Sequence, residues 1–190
     1  MSHPLVLASQ SPRRKELLEL AELNFITHAA DVDESMDLSL PLKEELTRLA
    51  LRKARAVEKE HPGCIVLGAD TTVVLDGKIL GKPKDDAEAI EMLQSLSGRT
   101  HEVMTSCALC CGKHEISWIN TAIVEFYELS ESMIQWYINT SEHKDKAGAY
   151  GIQGKGALLV KGIQGDFYTV MGLPVAETVR KLKEFEKELD

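Results

Sequence analysis

The sequence predicts an α/β fold in which a mixed, twisted sheet is flanked by helices. Apolar runs of strand length alternate with amphipathic stretches of helix length along the 190 residues. Asp76-Gly77 separates two short apolar runs, and this dipeptide favours a tight turn between antiparallel strands. Hydrophobic residues make up 44% of the chain, which is enough for a substantial core.

The first elements follow from an apolar run and a helix cap. Residues 5–8 are apolar and short enough to form one buried strand. A helix is expected from Pro12 to about residue 20 or 23, because Ser11 can cap it and proline fits the first turn. A second helix is predicted over about residues 42–59, since a Pro-Gly pair follows and would end it.

The central part of the chain supplies most of the sheet. Residues 64–68 have the pattern of a buried strand, and residues 73–75 and 78–80 flank the Asp-Gly turn. Two longer strands are predicted over about residues 102–109 and 118–127. One hairpin among strands separated by helices predicts a mixed sheet.

The remaining helices are predicted from their caps. An aspartate at residue 85 or 86 can cap a third helix, and Ser130 can cap a short one. Residues 147–156 are glycine-rich and should form a loop, and the apolar residues 157–160 should form a strand. Pro174 is expected to open a C-terminal amphipathic helix.

Charge and hydropathy exclude several classes of partner. The net charge is −8, whereas a nucleic-acid binder usually carries a basic patch, so we expect no nucleic-acid partner. No apolar run approaches the roughly 20 residues that span a bilayer, so we expect no membrane association. The N-terminus lacks the features of a secretory signal. We therefore expect a cytoplasmic protein in which residues 1–190 form a single domain.

Three of the four cysteines, Cys107, Cys110 and Cys111, lie in one apolar run and are expected to be small apolar strand residues in a reducing compartment. Cys107 and Cys110 form one C-x-x-C pair, but no second pair and no spaced histidine pair completes a zinc site. We therefore expect no zinc centre.

Three cations lie at the start of the first predicted helix, where acidic residues would stabilise the helix better. Arg13, Arg14 and Lys15 lie where the helix dipole is positive, which costs ~0.3–1 kcal/mol per charge. Free N–H groups and two arginines would together make a good receptor for phosphate oxygens. The alternative is that the arginines turn outward and are solvated.

Lys53 interrupts the apolar face of the second predicted helix. At roughly 100° per residue it falls in the middle of the face that Leu46 and Leu49 define. A lysine at this position has to reach the solvent, pair with a carboxylate or contact a ligand. The sequence leaves these three alternatives open.

Acidic residues at distant points of the chain could hold a divalent cation together with phosphate oxygens. Asp70 follows a buried strand, and a buried carboxylate needs a partner or a cation. Asp31, Asp33 and Glu34 form a second acidic group, for which a solvated loop is the alternative that we prefer for the two aspartates. Lys82 adds a cation after the hairpin, and the alternative for this residue is an exposed loop lysine. This combination favours metal-assisted phosphate chemistry over acyl transfer.

Together these segments resemble the Maf family of nucleotide pyrophosphatases, and the resemblance covers nearly the whole chain. Each motif is modest evidence, but their joint order and spacing are specific. The matching segments are residues 7–18, Gly68-Ala69-Asp70-Thr71, Asp76-Gly77, Leu80-Gly81-Lys82-Pro83, residues 96–101, residues 145–154 and residues 170–174.

The resemblance implies a two-lobed α/β fold with a cleft, as in Maf and ITPase-like proteins, often in a homodimer. It implies hydrolysis of a nucleoside triphosphate to the monophosphate and pyrophosphate, with Mg²⁺ or Mn²⁺ as cofactor. Residues 145–154 resemble the branch that acts on dTTP and UTP. Alternatives are modified pyrimidine nucleotides, 7-methyl-GTP, or a nucleotide-binding regulator of septum formation and cell division without significant turnover.

The resemblance also implies roles for single residues. Asp70 matches the family's proton acceptor, and whether it acts as this base or mainly holds the metal together with Glu34 stays open; Lys82 would complete the catalytic group. The positions expected to bind substrate are Ser9, Arg13, Arg14, Lys53, Thr71 and Gln153, of which Arg13, Thr71 and Gln153 match positions linked to base choice. Thr169 stands where the family more often has Asn or Ser, which leaves the role of that loop open.

Overall fold

The computed structural model describes residues 3–37 and 39–189. In this part of the chain the strands are β1 (Leu5–Ala8), β2 (Phe25–Thr27), β3 (Ile65–Leu75), β4 (Lys78–Leu80), β5 (Thr100–Cys111), β6 (His114–Phe126) and β7 (Val160–Gln164). The α-helices are α1 (Pro12–Leu20), α2 (Leu42–Glu58), α3 (Asp86–Leu96), α4 (Glu131–Asn139), α5 (Phe167–Met171) and α6 (Val175–Leu189). None of the helices in these ranges is long and apolar enough to cross a membrane.

The strands form a mixed sheet, as predicted. Its order is β2-β1-β3-β5-β6-β7, with β4 paired to β3, which makes seven strands within the described ranges. Strand β1 is parallel to both β2 and β3, whereas β4 is antiparallel to β3 and β7 is antiparallel to β6. The prediction of an α/β fold with a mixed sheet and flanking helices is therefore confirmed.

Contacts between residues divide the chain into two compact units. The first unit contains Met1–Asp70, Thr105–Asn120 and Gly172–Asp190, and the second contains Thr71–Met104 and Thr121–Met171. Asp70 is thus the last residue of its segment in the first unit, and Thr71 begins the second. The expectation of a single domain over residues 1–190 stays a prediction.

In the first unit, α2 packs very closely on β3 because the facing residues are small. Ala50 and Ala54 on α2 are fully buried in one apolar cluster with the strand residue Val66. At Gly68 on β3, an added Cβ would lie 2.3 Å from the carbonyl oxygen of Ala50 and 2.8 Å from the amide nitrogen of Ala54. Only glycine allows the two backbones to approach this closely.

Free thiols line part of this core. Cys107 and Cys110 on β5 are buried, and burial raises the pKa of each thiol to about 12. They pack as small apolar residues, as the sequence predicts.

The core of the second unit contains a buried group of three rings. His101, Phe126 and Tyr150 pack edge to face with ring centroids 4.7–5.4 Å apart. The Nε2 atom of His101 is hydrogen-bonded to the hydroxyl of Tyr150 at 2.7 Å. Burial lowers the pKa of His101 to about 4 and raises the pKa of Tyr150. His101 is therefore a structural residue.

Two details of the predicted elements are wrong. The apolar residues 157–160 do not form a strand: Gly154–Leu158 is a 3₁₀ helix and β7 begins at Val160. Leu158 is 60% exposed, so this apolar run does not mark a buried strand. In addition, β3 continues from Ile65 to Leu75, so Asp70 lies within a strand rather than after one. Pairing with neighbouring strands overrides the weak strand propensity of aspartate.

Replacing Gly68 with alanine should destabilise the fold, because the new methyl group has no space between β3 and α2. We expect a loss of about 1–3 kcal/mol in the free energy of unfolding, measured by urea denaturation. Gly81→Ala is the matched control, because no heavy atom lies within 4 Å of its added Cβ. Equal stability of the two variants would contradict the close approach.

Acid should destabilise the protein through His101. The folded pKa is about 4 and the ordinary value is 6.5, so the unfolded state binds the proton more readily. The contribution of His101 to the free energy of unfolding is constant above pH ~6.5. It falls by about 1.4 kcal/mol per pH unit as the pH drops toward 4. Denaturation at a series of pH values should show a shallower dependence for His101→Gln. An unchanged slope in that variant would contradict this assignment.

Candidate active site

Helix α1 holds the side chain of Arg14 against groups of the first unit rather than in solvent. The hydroxyl of Ser11 caps the helix by accepting from the amide of Arg14. The guanidinium of Arg14 donates through Nη1 to Ser9 Oγ at 3.1 Å and through Nε to the carbonyl of Gly172 at 2.8 Å. Arg14 is therefore held in a fixed position, which contradicts the alternative of an outward, solvated side chain.

Several charges share the surroundings of Arg14. Burial lowers the pKa of its guanidinium, whereas the negative charges of Asp70 and Glu34 raise it and the positive charge of Arg13 lowers it further. Asp70, Glu34 and Arg13 are therefore each close enough to Arg14 to act on its charge. The structure thus brings together two arginines and two carboxylates that are distant in sequence.

Lys53, which lies on the buried face of α2, forms ion pairs with two carboxylates. Its Nζ atom donates to Asp70 Oδ1 at 2.6 Å and lies 2.7 Å from Glu34 Oε1. The Lys53 side chain is only 9% exposed, while those of Asp70 and Glu34 are 16% and 55% exposed. The ammonium group therefore bridges a nearly buried carboxylate and an open one.

The close approach at Gly68 explains this pairing. In the sequence of α2, Lys53 lies between Ala50 and Ala54, the two residues that face Gly68. Asp70 follows Gly68 by two positions on β3. Side chains alternate along a strand, so Gly68 and Asp70 share the face that is turned toward α2. The packing of small residues thus sets the distance between Lys53 and Asp70.

The donor set of this site suits a divalent cation that also binds phosphate. Within residues 3–37 and 39–189, no three His, Cys, Asp or Glu side chains form a group that could hold a metal by themselves. Mg²⁺ commonly uses one or two carboxylates and completes its coordination with water and substrate phosphates. Glu34 and Asp70 fit this mode of binding.

The three acidic residues at positions 31, 33 and 34 have different surroundings: Glu34 lies at the site, and the two aspartates lie in solvent. Asp31 and Asp33 are exposed, which agrees with a solvated loop. Asp33 accepts hydrogen bonds from the amide and hydroxyl of Ser35 at 2.9 and 2.7 Å, and these bonds lower its pKa. Only Glu34 of this segment pairs with Lys53.

The other predicted site residues belong to the second unit. Thr71 follows Asp70 directly on β3 and is half-buried, whereas Lys82 and Gln153 are exposed. The amide of Gly148 donates to the carbonyl of Gly81 at 3.0 Å, so the loop that precedes Lys82 contacts the glycine-rich segment. The structure thus places Ser9, Arg13, Arg14, Glu34 and Lys53 with Asp70 in the first unit, and Thr71, Lys82 and Gln153 in the second.

Two sets of hydrogen bonds were not predicted from the sequence. The carbonyl of Gly172 holds Arg14, and no side-chain pattern reveals a backbone acceptor 158 positions away. Thr169 is buried, and both its amide and its hydroxyl donate to Asp166 Oδ2 at 2.8 Å. The Asp-x-x-Thr spacing is that of a helix cap and was a usable signal for this local role.

Comparisons with known proteins agree with the geometry. The family model described as Maf-like protein matches residues 4–185. A protein of Bacillus velezensis named dTTP/UTP pyrophosphatase is 52% identical over 97% of this chain and 98% of its own length. A protein of the same name from Symbiobacterium thermophilum is 52% identical over 95% and 93%.

A solved structure supports the fold. The HAM1 protein from Coxiella burnetii superimposes with a TM-score of 0.53 at 18% identity, over 96% of this chain and 99% of that protein. At this identity the similarity concerns the fold alone.

Removing the ammonium group of Lys53 should destabilise the protein, because Asp70 would then lose a partner in a largely buried position. We expect Lys53→Met to lower the free energy of unfolding by roughly 1–3 kcal/mol in metal-free buffer. Lys161→Met is the matched control, since Lys161 pairs with Glu125 at 2.7 Å but the two side chains are 51% and 42% exposed. Urea denaturation should show little change in the control, and equal losses would contradict a role for burial.

Proposed function

Since the chain belongs to the Maf family, we propose that it hydrolyses dTTP and UTP to their monophosphates and pyrophosphate. The relatives that are about half identical to it over nearly its whole length carry the name dTTP/UTP pyrophosphatase. The observation that carries the proposal is the placement of Lys53 Nζ between Asp70 and Glu34, in the electrostatic neighbourhood of Arg14. Positive groups and two acids at one place suit a polyphosphate substrate.

The reaction needs a water nucleophile and neutralisation of the triphosphate. Water adds to phosphorus, the phosphoanhydride bond between the α- and β-phosphates breaks, and pyrophosphate leaves with the electron pair. Asp70 accepts the proton that the attacking water loses. Arg13, Arg14, Lys53 and Lys82 offset the negative charge of the phosphates, because fixed cations stabilise the charge that develops on the leaving group.

Glu34 and Asp70 would hold the divalent cation, Mg²⁺ or Mn²⁺. When bound, the cation polarises the phosphoryl oxygens and lowers the pKa of water. Lys53 orients Asp70 through the hydrogen bond from Nζ to Oδ1. The chain thus supplies the carboxylates and holds at least one of them in a fixed position.

Base choice is assigned to Arg13, Thr71 and Gln153. Gln153 is exposed, and its side-chain amide offers both a donor and an acceptor. A pyrimidine edge such as that of uracil or thymine presents the complementary pair. The homodimer and the cytoplasmic location that the sequence leads us to expect stay predictions.

Asp70→Asn should remove most of the activity, because an amide cannot accept the proton of the attacking water. We expect the turnover of dTTP to fall by at least about 100-fold, measured as pyrophosphate release. Asp33→Asn is the matched control, since Asp33 is an exposed carboxylate in the acidic segment that also carries Glu34. A near-normal rate for Asp70→Asn would refute the assigned role.

A panel of triphosphates separates the proposed function from its alternatives. The assay uses dTTP, UTP, GTP and 7-methyl-GTP, each with and without Mg²⁺ or Mn²⁺, and measures pyrophosphate. We expect cation-dependent turnover that is fastest with dTTP and UTP. Preference for 7-methyl-GTP would assign a different substrate, and binding without turnover in the presence of the cation would support a regulator.

A further inference from the structure

The segment that carries Gln153 is fixed on both sides of this residue. Before Gln153, the amide of Gly151 donates to the hydroxyl of Tyr137 at 3.2 Å. After it, the amides of Lys155 and Gly156 donate to Glu142 Oε2 at 2.9 and 3.4 Å. Tyr137 belongs to α4 and Glu142 follows its end, so one short stretch of chain anchors both sides.

Close packing leaves this segment little freedom. An added Cβ at Gly156 would lie 1.9 Å from the carbonyl oxygen of Gly151, so the two ends of the segment are in contact. An added Cβ at Gly154 would lie 2.8 Å from Glu142 Oε2, and the φ of Gly154 is +63°. The Glu142 carboxylate therefore fills the space beside Gly154, while Gln153 stays exposed between the anchors.

The anchors are themselves well held. Tyr137 is fully buried, and the amide of Glu142 donates to the hydroxyl of Thr140 at 3.2 Å. The next residue, His143, is buried and its Nε2 lies 2.9 Å from Asp86 Oδ1 on α3. Within the part of the chain that the structure describes, the Glu142 carboxylate forms no ion pair, and backbone amides are its hydrogen-bond donors. Hydrogen bonds from amides to an ionised acceptor are stronger than neutral ones.

We propose that Glu142, assisted by Tyr137, is a positioning residue for Gln153 and sets the discrimination between pyrimidine and other bases. The inference rests on the proposed function, in which Gln153 contacts the base. Small displacements of a polar group that reads a base abolish its contribution, because the donor and the acceptor have to match the base edge together. Glu142 determines where the backbone of Gln153 lies and thereby where its amide points.

The test compares kcat/KM for dTTP and GTP in single and double variants. Glu142→Ala should lower the ratio of the two values about tenfold, toward the value of Gln153→Ala. Glu142→Gln retains an acceptor oxygen and should restore most of the ratio. The double variant Glu142→Ala/Gln153→Ala should be no less selective than Gln153→Ala alone, because the two residues act through one contact.

Two further variants separate positioning from general damage. Glu125→Ala removes an exposed carboxylate of the same unit that pairs with Lys161, and it should leave the ratio unchanged. Tyr137→Phe removes the hydroxyl that accepts from the amide of Gly151 and should lower the ratio in a folded protein, even where Glu142→Ala is unstable. Thermal unfolding checks that each variant is folded.

The outcomes are distinct. A wild-type ratio in Glu142→Ala or, where that variant does not fold, in Tyr137→Phe would overturn the inference, provided that Gln153→Ala has lost selectivity. Wild-type protein that hydrolyses no triphosphate would overturn the proposed function and this inference with it. In the third outcome, the wild-type protein is selective while Gln153→Ala and Glu142→Ala each lose selectivity. If the losses then add in the double variant, the positioning role alone is overturned.

Discussion

The contact between the backbones of β3 and α2 is the constraint on which the candidate site depends. Gly68 allows the strand to approach the helix so closely that no side chain fits between them. Because α2 is held at this distance, the long side chain of Lys53 ends at the carboxylate of Asp70. A charged group is thereby stabilised on a helix face whose other buried residues are mostly apolar.

Paired charges make this arrangement tolerable before any substrate arrives. A buried ammonium or carboxylate alone would be costly, but Lys53 lies between two acids and Arg14 is hydrogen-bonded to Ser9 and Gly172. The chain is acidic as a whole, with a net charge of −8, yet Arg13, Arg14 and Lys53 lie in the unit where phosphates are expected. Local concentration of positive charge, rather than the net charge, decides whether an anion binds.

Much of the fold was predictable because apolar runs and caps are local signals. Ser11, Asp85 and Ser130 each cap the helix that the sequence assigns to them. The apolar run ending at Val160 misled because Gly154–Leu158 forms a 3₁₀ helix in which Leu158 is 60% exposed, although Leu159 is buried. Strand β2 has only three residues and was not predicted, since it depends on parallel pairing with β1.

The site was predictable where a residue contradicts its local surroundings. Lys53 on an apolar face and cations at a helix start both signal a requirement that local structure does not explain. The partner of Lys53 was left open, because which carboxylate reaches it depends on packing between distant segments. The anchors of Gln153 were not predicted, since Glu142 and Tyr137 act on backbone amides, which are the same in every sequence.

The buried thiols of β5 can be used to measure how often the native protein transiently exposes its core. The thiolate is the reactive form, and burial raises the pKa of Cys107 and Cys110 to about 12. A disulfide reagent can therefore modify them only in molecules whose sheet has transiently separated from its helices. Under conditions of fast closing, their labelling rate reports the free energy of that separation in the native protein, without added denaturant.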